Sequence, residues 1–108
     1  MSYRVQFTDE AADLLLSIAD WYRQTSQSID VATRWYDGFI AALENLKQNP
    51  FLGSIAAESD QFGFELRELL YRSGRRITHR AIYRVVGNVI EILSIRHHSQ
   101  QPLNPNEL

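Results

Sequence analysis

The sequence has no cysteine, a single lysine (Lys47) and no long apolar run. Without cysteine the chain offers neither disulfides nor thiolate metal ligands, which argues against a small secreted scaffold. Its longest apolar runs are far shorter than the roughly 20 residues that span a bilayer. The N-terminal segment MSYRVQFTDE lacks a basic region followed by an apolar core, so we expect no signal peptide. We therefore expect a cytoplasmic protein without a membrane partner, and no motif predicts a metal site or a cofactor.

What is present is an ordinary globular composition: 108 residues, of which 44% are hydrophobic and 22% are charged. This length suits one domain with one core. We expect residues 1–99 to form that domain. Residues 100–108 contain Pro102 and Pro105 and are expected to form an extended or mobile tail.

Charge is distributed unevenly along the chain. Residues 1–60 carry four basic and nine acidic side chains, whereas residues 61–108 carry seven basic and four acidic ones. The net charge of the chain is −2. The basic residues other than Lys47 are arginines, whose planar guanidinium groups suit phosphates and carboxylates. An acidic half joined to an arginine-rich half predicts two faces with different partners.

Apolar periodicity predicts a strand followed by two helices in the first half of the chain. YRVQF at residues 3–7 alternates like a half-buried strand. Thr8 is positioned to cap a helix that should run to about Gln24. A second helix, capped by Ser28 or Asp30, should follow after a short polar turn.

The second half of the chain predicts three strands. Pro50 and Gly53 should end the second helix, and residues 54–63 are predicted to be a loop. FELRELLY at residues 64–71 has the composition of a strand, and residues 75–99 that of a β-hairpin. The predicted order is strand-helix-helix-strand-strand-strand. The fold class is therefore α+β, an antiparallel sheet with a helical pair packed on one face.

Gly87-Asn88 predicts the turn and the register of the hairpin. This dipeptide suits the positive φ angles of a two-residue connection. The resulting register places Val86 opposite Val89 and Arg84 opposite Glu91. We therefore expect a cross-strand ion pair between Arg84 and Glu91.

Strand alternation then places Arg76, Arg80 and Arg84 on one face of the hairpin. The same face should carry Leu93, Ile95 and His97, and the opposite face Ser94, Arg96 and His98. Because this face is expected to be open to solvent, the three arginines are hypothesised to form a stripe that binds an anionic partner. The alternative is an ordinary solvated sheet face.

The apolar stripes of both predicted helices are wider than the roughly 100° needed to cover one sheet. One interpretation is that the two helices bury their flanks against each other. The other is an apolar groove for a partner. The candidate partner-binding residues are Leu16, Trp21, Trp35, Tyr36, Phe39 and Ile40, although Trp35 also fits a core position.

Several segments together resemble the RelE/ParE toxin superfamily of bacterial type II toxin–antitoxin systems. LRELLY at residues 66–71 resembles the R-x-L strand of that superfamily, and HRAIYRVVGNVIEILSIRHH at residues 79–98 resembles its final hairpin. NPFLG at residues 49–53 resembles the Pro-x-x-Gly that follows the second helix. The resemblance covers nearly the whole chain, and the order of elements fits as well.

This resemblance implies one of two mechanisms. RelE-like members are ribosome-dependent ribonucleases that cleave mRNA, whereas ParE-like members inhibit DNA gyrase. In both groups a small antitoxin wraps the toxin, and operator DNA is bound through the antitoxin. The implied partners are therefore a cognate antitoxin and either gyrase or the ribosome with its mRNA, while the oligomeric state stays open.

The ribonuclease alternative depends on a few residues near the end of the hairpin. In one nuclease subgroup an HR-x-x-Y motif supplies an arginine, and a terminal R-x-H-Y motif supplies a histidine and a tyrosine. Arg80 and His98 match the first two, with His97 as an alternative, whereas Ser99 stands where the tyrosine would be. Glu58 is the candidate for the glutamate of that subgroup.

The gyrase alternative depends on IRHHSQ at residues 95–100, which resembles the IRHAAR ending of ParE-like members. Residues carry over to that mechanism only as a basic patch. The candidates for this target-binding patch are Arg67, Arg72, Arg75, Arg76, Arg80, Arg84 and Arg96. We favour the ParE-like interpretation over the RelE-like one. A third alternative is an interaction domain of the same fold without toxicity.

Overall fold

The computed structural model describes residues 2–108, and within that range the chain forms two α-helices and one five-stranded sheet. The elements are β1 (Arg4–Phe7), α1 (Asp9–Ser26), α2 (Ile29–Glu44), β2 (Ser54–Ile55), β3 (Arg67–Ser73), β4 (Arg76–Val86) and β5 (Val89–His97). Short 3-10 turns lie at Asn45–Lys47, Ala57–Gln61 and Pro105–Glu107. The predicted α+β class and its helical pair are confirmed.

Both helices begin at the hydroxyl residues that the sequence indicated. The Thr8 side chain accepts a hydrogen bond from the backbone N–H of Ala11, and Ser28 accepts one from Val31. Gln27 separates the helices in a left-handed conformation, with φ of 56°. Within the described range, neither helix is long and apolar enough to cross a membrane.

The sheet has the strand order β1-β5-β4-β3-β2. β1 pairs in parallel with β5, while β5 with β4, β4 with β3, and β3 with β2 are antiparallel pairs. The predicted hairpin register is confirmed near the turn, where Arg84 pairs with Glu91 and Val86 with Val89. Gly87 has φ of +59°, as the turn requires.

A β-bulge in the hairpin reverses the predicted faces of β5 beyond the turn. Tyr83 pairs with Ile92, but Ile82 pairs with Ser94, so Leu93 is an extra residue. Leu93 packs in a core on the outer face, whereas Ile95 packs under the helices. Leu93 therefore shares the face of Arg80 as predicted, but the prediction that Ile95 and His97 share it is wrong, because a single inserted residue exchanges the two faces beyond the bulge.

Two apolar cores lie on the two sides of the sheet. The larger core lies between the helices and the sheet and includes Trp35, Phe39, Leu43, Tyr83 and Ile92. The smaller core lies on the outer face, the side of the sheet away from the helices. Its buried members are Ala56, Leu66, Ile82, Leu93 and Leu103.

Two segments without helical or strand periodicity, residues 54–63 and 100–108, contribute to the outer core and differ from their predicted structure. Residues 54–63, predicted to be a loop, contribute β2 and a 3-10 turn that bring Ala56 and Glu58 onto the sheet. Residues 100–108 form a docked tail, because Leu103 is 2% exposed and Pro105–Glu107 form a capped turn. Burial of Leu103 and the hydrogen bonds that join Leu103 to Glu58 and Gln101 to Arg96 hold this terminal segment on the sheet.

Gly53 permits a close approach between the segment after α2 and the sheet. Its N–H donates to the Tyr83 hydroxyl at 3.0 Å, and that hydroxyl donates to the Pro50 carbonyl at 2.9 Å. A Cβ at Gly53 would collide with the backbone carbonyl of Glu68. A side chain at this position therefore forces backbone movement.

We predict that Gly53→Ala lowers the free energy of unfolding by at least about 2 kcal/mol, a typical cost of overpacking. Urea denaturation measures this loss. Gly63→Ala is the matched control, since a Cβ there meets nothing within 4 Å, and it should change stability by less than about 0.5 kcal/mol. Equal stabilities for the two variants would contradict the close approach at Gly53.

Candidate functional site

Arg80 lies on the outer face of β4 and is only 8% exposed. Its Nη1 donates to Glu58 Oε1 at 2.9 Å and to Glu68 Oε2 at 2.7 Å. Its Nη2 donates to Glu58 Oε2 at 2.7 Å. The expectation that Arg80 faces solvent is wrong, because the turn at 57–61 and the tail cover this face.

The ion pair between Arg80 and Glu58 changes the acidity of both groups. Hydrogen bonds from the Arg80 guanidinium are the main reason that the pKa of Glu58 falls from 4.5 to about 2. A further hydrogen bond from the Leu103 N–H, 2.8 Å from Glu58 Oε2, acts in the same direction. Bonding to Glu58 in turn raises the pKa of Arg80. The cluster of Arg80, Glu58 and Glu68 therefore holds one guanidinium between two carboxylates.

Arg96 is the cross-strand partner of Arg80, and the tail covers it. It is 6% exposed, its Nε donates to the Gln101 carbonyl at 3.0 Å, and its Nη1 lies 3.3 Å from Glu107 Oε1. The sequence analysis predicts Arg96 as a member of the target-binding basic patch. The bulge moves Arg96 to the outer face, where the docked tail buries it.

Two more candidate arginines are engaged within the chain. The predicted ion pair between Arg84 and Glu91 is confirmed, with 2.8 Å between Nε and Oε1. The Arg84 guanidinium also lies 4.5 Å from the centroid of the Phe64 ring. Arg67 donates to Glu65 and to the Gly53 carbonyl, both at 2.8 Å. Both guanidinium groups are therefore already bound by other groups of the chain, which makes them poor members of a target-binding basic patch.

Three of the candidate arginines are exposed, and they cluster at the turn between β3 and β4. They are Arg72, Arg75 and Arg76. Gly74 occupies the turn with φ of +67°. The pairing of β3 with β4 shifts between Tyr71 and Arg72, so Arg76 does not continue a regular ladder from Arg80. The predicted stripe is therefore divided into an exposed end and a buried middle.

The histidines form a separate cluster near the end of β5. The ring centroids of His79 and His97 are 5.4 Å apart, and those of His97 and His98 are 5.1 Å apart. Burial, followed by the charges of His97 and His98, lowers the pKa of His79 to about 4. His79 and His97 line a small cavity of about 170 Å³ with Ile18, Trp21 and Tyr22.

These positions bear on the proposed nuclease residues. His97 lies on the helix side of the sheet, opposite His79, whereas Arg80 lies on the outer side, so the prediction that these two residues share a face is wrong. His98 follows the end of β5, and its N–H donates to the Thr78 carbonyl at 3.0 Å. The guanidinium of Arg80 is hydrogen-bonded to Glu58 and Glu68 rather than to either histidine. Within residues 2–108, no group of three or more His, Asp or Glu side chains is placed to hold a metal ion.

The candidate partner-binding residues of the helices divide by exposure. Leu16 and Trp21 on α1 are 61% and 58% exposed. Tyr36 and Ile40 are half-buried. Trp35 and Phe39 are 4% and 1% exposed, so neither offers an open side-chain surface of the kind that Leu16 and Trp21 present. They belong to the core between the helices and the sheet, as the alternative interpretation held.

The chain matches a known protein family over most of its length. The family model for the ParE toxin of the type II toxin–antitoxin system parDE matches residues 5–102. The chain belongs to the ParE toxin family. Membership implies an antitoxin as partner. No curated protein sequence matches the chain.

A solved structure supports this assignment. It is described as the chromosomal ParDE TA system from P. aeruginosa, and its matching chain is 25% identical in sequence. The match covers 89% of this chain and 96% of the other, with a TM-score of 0.68. The ParE-like assignment made from the hairpin motifs is therefore confirmed.

Local sequence patterns contain little indication of the partners of Arg80 in this ParE-family chain. Glu68 lies three residues after Glu65 in the segment FELRELLY, whose composition otherwise favours a strand, and that is the one local signal of an inward carboxylate. Glu58 lies in a segment without periodicity. Leu103, whose N–H completes the site, lies in a proline-rich tail. These contacts span 22 and 45 residues of sequence, so no local pattern encodes them.

We predict that Arg80→Ala destabilises the fold by about 3–5 kcal/mol, because removing one partner of a buried ion pair leaves Glu58 uncompensated. Arg76→Ala removes the same charge from an exposed position of the same strand and should cost less than about 0.5 kcal/mol. Urea unfolding at pH 7 compares the two variants. If Arg80→Ala were as stable as Arg76→Ala, the buried cluster would have no structural role.

Proposed function

We propose that this chain is the toxin of a type II toxin–antitoxin pair, that it inhibits growth by binding DNA gyrase, and that a cognate antitoxin neutralises it. Membership of the ParE toxin family supports the toxin assignment. The choice of a binding mechanism over RNA cleavage is supported by one observation, the engagement of Arg80 by two carboxylates.

RNA cleavage requires a positive group that meets the charge developing on the phosphorus oxygens. Arg80 is the residue whose sequence position matches that role. Its guanidinium is buried, and with Glu58 and Glu68 it forms a cluster of net charge −1. A phosphate approaching this cluster would meet one more negative than positive charge. The cluster therefore disfavours the nuclease alternative, in which Arg80 acts with His98 or His97.

The proposed target-binding surface is the exposed turn between β3 and β4. Arg72, Arg75 and Arg76 lie there within five residues. Three exposed guanidinium groups at this spacing raise the local positive potential, which favours an acidic protein surface or DNA held by gyrase. We infer that this turn, rather than Arg80, Arg84 or Arg96, contacts the target. Operator DNA is expected to be bound through the antitoxin.

The proposed antitoxin surface includes the exposed apolar side chains of α1. Leu16 and Trp21 are more than half exposed, and large exposed apolar side chains are typical of partner-binding surfaces. Tyr36 and Ile40 remain candidates at the margin of this surface. Large aromatic residues often carry a disproportionate share of binding energy, so Trp21 is the residue whose loss should matter most.

The direct experiment is a DNA supercoiling assay with purified gyrase and purified chain. We expect inhibition that the cognate antitoxin relieves, and we expect the variant with Arg72, Arg75 and Arg76 all changed to Gln to inhibit at least about tenfold more weakly. In parallel, the chain is incubated with translating ribosomes, and the 5′ ends of the mRNA are mapped. We expect no new mRNA ends.

Two controls make the outcome decisive. Circular dichroism of the triple variant verifies that it is folded, and Arg4→Gln with Arg23→Gln tests whether loss of charge elsewhere has the same effect. New mRNA ends with unaffected supercoiling would contradict gyrase binding and favour the ribonuclease. Inactivity in both assays, together with normal growth on induction, would favour a non-toxic interaction domain.

A further inference from the structure

An open cavity of about 390 Å³ lies between α2 and the end of β3. It is separate from the cluster around Arg80, which is on the other side of the sheet. Its walls combine aromatic, aliphatic and basic side chains. The lining residues used below are Tyr22, Val31, Arg34, Trp35, Tyr71 and Arg72.

Trp35 is the unusual residue of this cavity. Its side chain is nearly inaccessible, at 4% exposed, and Tyr22 and Phe39 stack on its ring with centroid distances of 5.5 and 5.2 Å. Over residues 2–108, its indole Nε1 is the one buried side-chain nitrogen or oxygen without a hydrogen-bond partner. Buried donors are nearly always satisfied, and an unsatisfied one costs about 1–3 kcal/mol. An acceptor supplied by a ligand would remove this cost.

The cavity also carries positive charge that the chain does not neutralise. In the described part of the chain, neither Arg34 nor Arg72 forms an ion pair with an acidic side chain. The Nε of Arg34 has a backbone carbonyl, that of Asp30, at 3.4 Å. Burial raises the pKa values of Tyr22 and Tyr71, so their hydroxyls keep their protons. The polar groups of this wall are thus donors with few acceptors.

We propose that this cavity binds the side-chain carboxylate of an acidic peptide segment. Arg34 and Arg72 hold the two oxygens by charge-assisted hydrogen bonds, and the indole N–H of Trp35 donates to one of them. Val31 and the aromatic rings cover the methylene groups of the bound side chain. The proposal goes beyond the proposed function, because it does not depend on gyrase or on toxicity.

A carboxylate on a short apolar stem fits these walls better than a phosphate does. A nucleic-acid phosphate carries its charge on a polar sugar backbone, which gains little from contact with Val31 and the tyrosine rings. A glutamate side chain presents methylene groups to those walls and a planar pair of oxygens to the arginines. Planar guanidinium groups pair with carboxylates in this bidentate way.

The test uses the indole N–H resonances of the ¹⁵N-labelled chain, which has two tryptophans, Trp21 and Trp35. The probes are the capped peptide Ac-Gly-Glu-Gly-NH₂, its Gln counterpart and inorganic phosphate. We expect the Glu peptide to move the Trp35 resonance to a saturating limit. Trp21 lies outside this cavity and provides the internal reference, so its resonance should stay in place.

Matched variants assign the effect to the cavity. Arg72→Gln should weaken binding of the Glu peptide about tenfold, the effect of losing one charge-assisted contact of about 1.4 kcal/mol. Arg4→Gln removes the same charge from β1, at the opposite end of the sheet, and should leave the affinity unchanged. Variants are compared only after their spectra show the dispersion of the folded chain.

Three results would overturn the proposal. The first is a Trp35 resonance that does not move, or moves linearly without saturation. The second is an equal response to the Gln peptide, which would remove the requirement for a carboxylate. The third is tighter binding of phosphate than of the Glu peptide, which would make the cavity a phosphate site instead. Failure of gyrase inhibition would leave each of these readouts unaffected.

Discussion

The ion pair between Arg80 and Glu58 connects the parts of the outer face that have no regular structure. Glu58 brings the 57–61 turn onto β4, and its second oxygen also accepts the Leu103 N–H of the tail. Because one carboxylate joins two segments 45 residues apart in sequence, loss of its charge would loosen both of them. Removing one partner from a buried pair is costly, whereas the intact pair contributes modestly by itself. The role of Arg80 is therefore to organise the outer face, which moves the proposed target-binding charge to the β3–β4 turn.

Local patterns were sufficient to predict the helices and the start of the hairpin. Thr8 and Ser28 cap the helices because a hydroxyl before an apolar period can bond the first free N–H groups, and this rule needs no distant contact. Gly87 fixes the turn and therefore the hairpin register. That register places Arg84 opposite Glu91, seven residues further along the chain, where the two side chains form an ion pair. The family motifs allowed the whole fold and the assignment as a ParE-family toxin to be predicted as well.

The candidate site could not be predicted in the same way, because its geometry depends on one bulge and on segments far apart in sequence. Leu93 is indistinguishable from its apolar neighbours, yet as the inserted residue it moves Arg96 to the outer face and His97 to the helix side. Arg80 is buried because the 57–61 turn and the C-terminal tail cover the outer face of the sheet. Neither segment has the apolar periodicity from which a helix or strand is predicted. Trp35 was a candidate for both core and partner contact, and the stacking of Tyr22 and Phe39 on its ring places it in the core.

The most direct measurement is the NMR titration of the Glu58 carboxyl group in the ¹³C-labelled chain. Its pKa is lowered in the folded state, so this group stabilises the fold above its ordinary value of 4.5 and loses that contribution as the pH falls toward about 2. While the chain stays folded, the carboxyl resonance should remain that of the ionised form down to about pH 3. A midpoint near 4.5 in the folded chain would contradict the buried pair with Arg80.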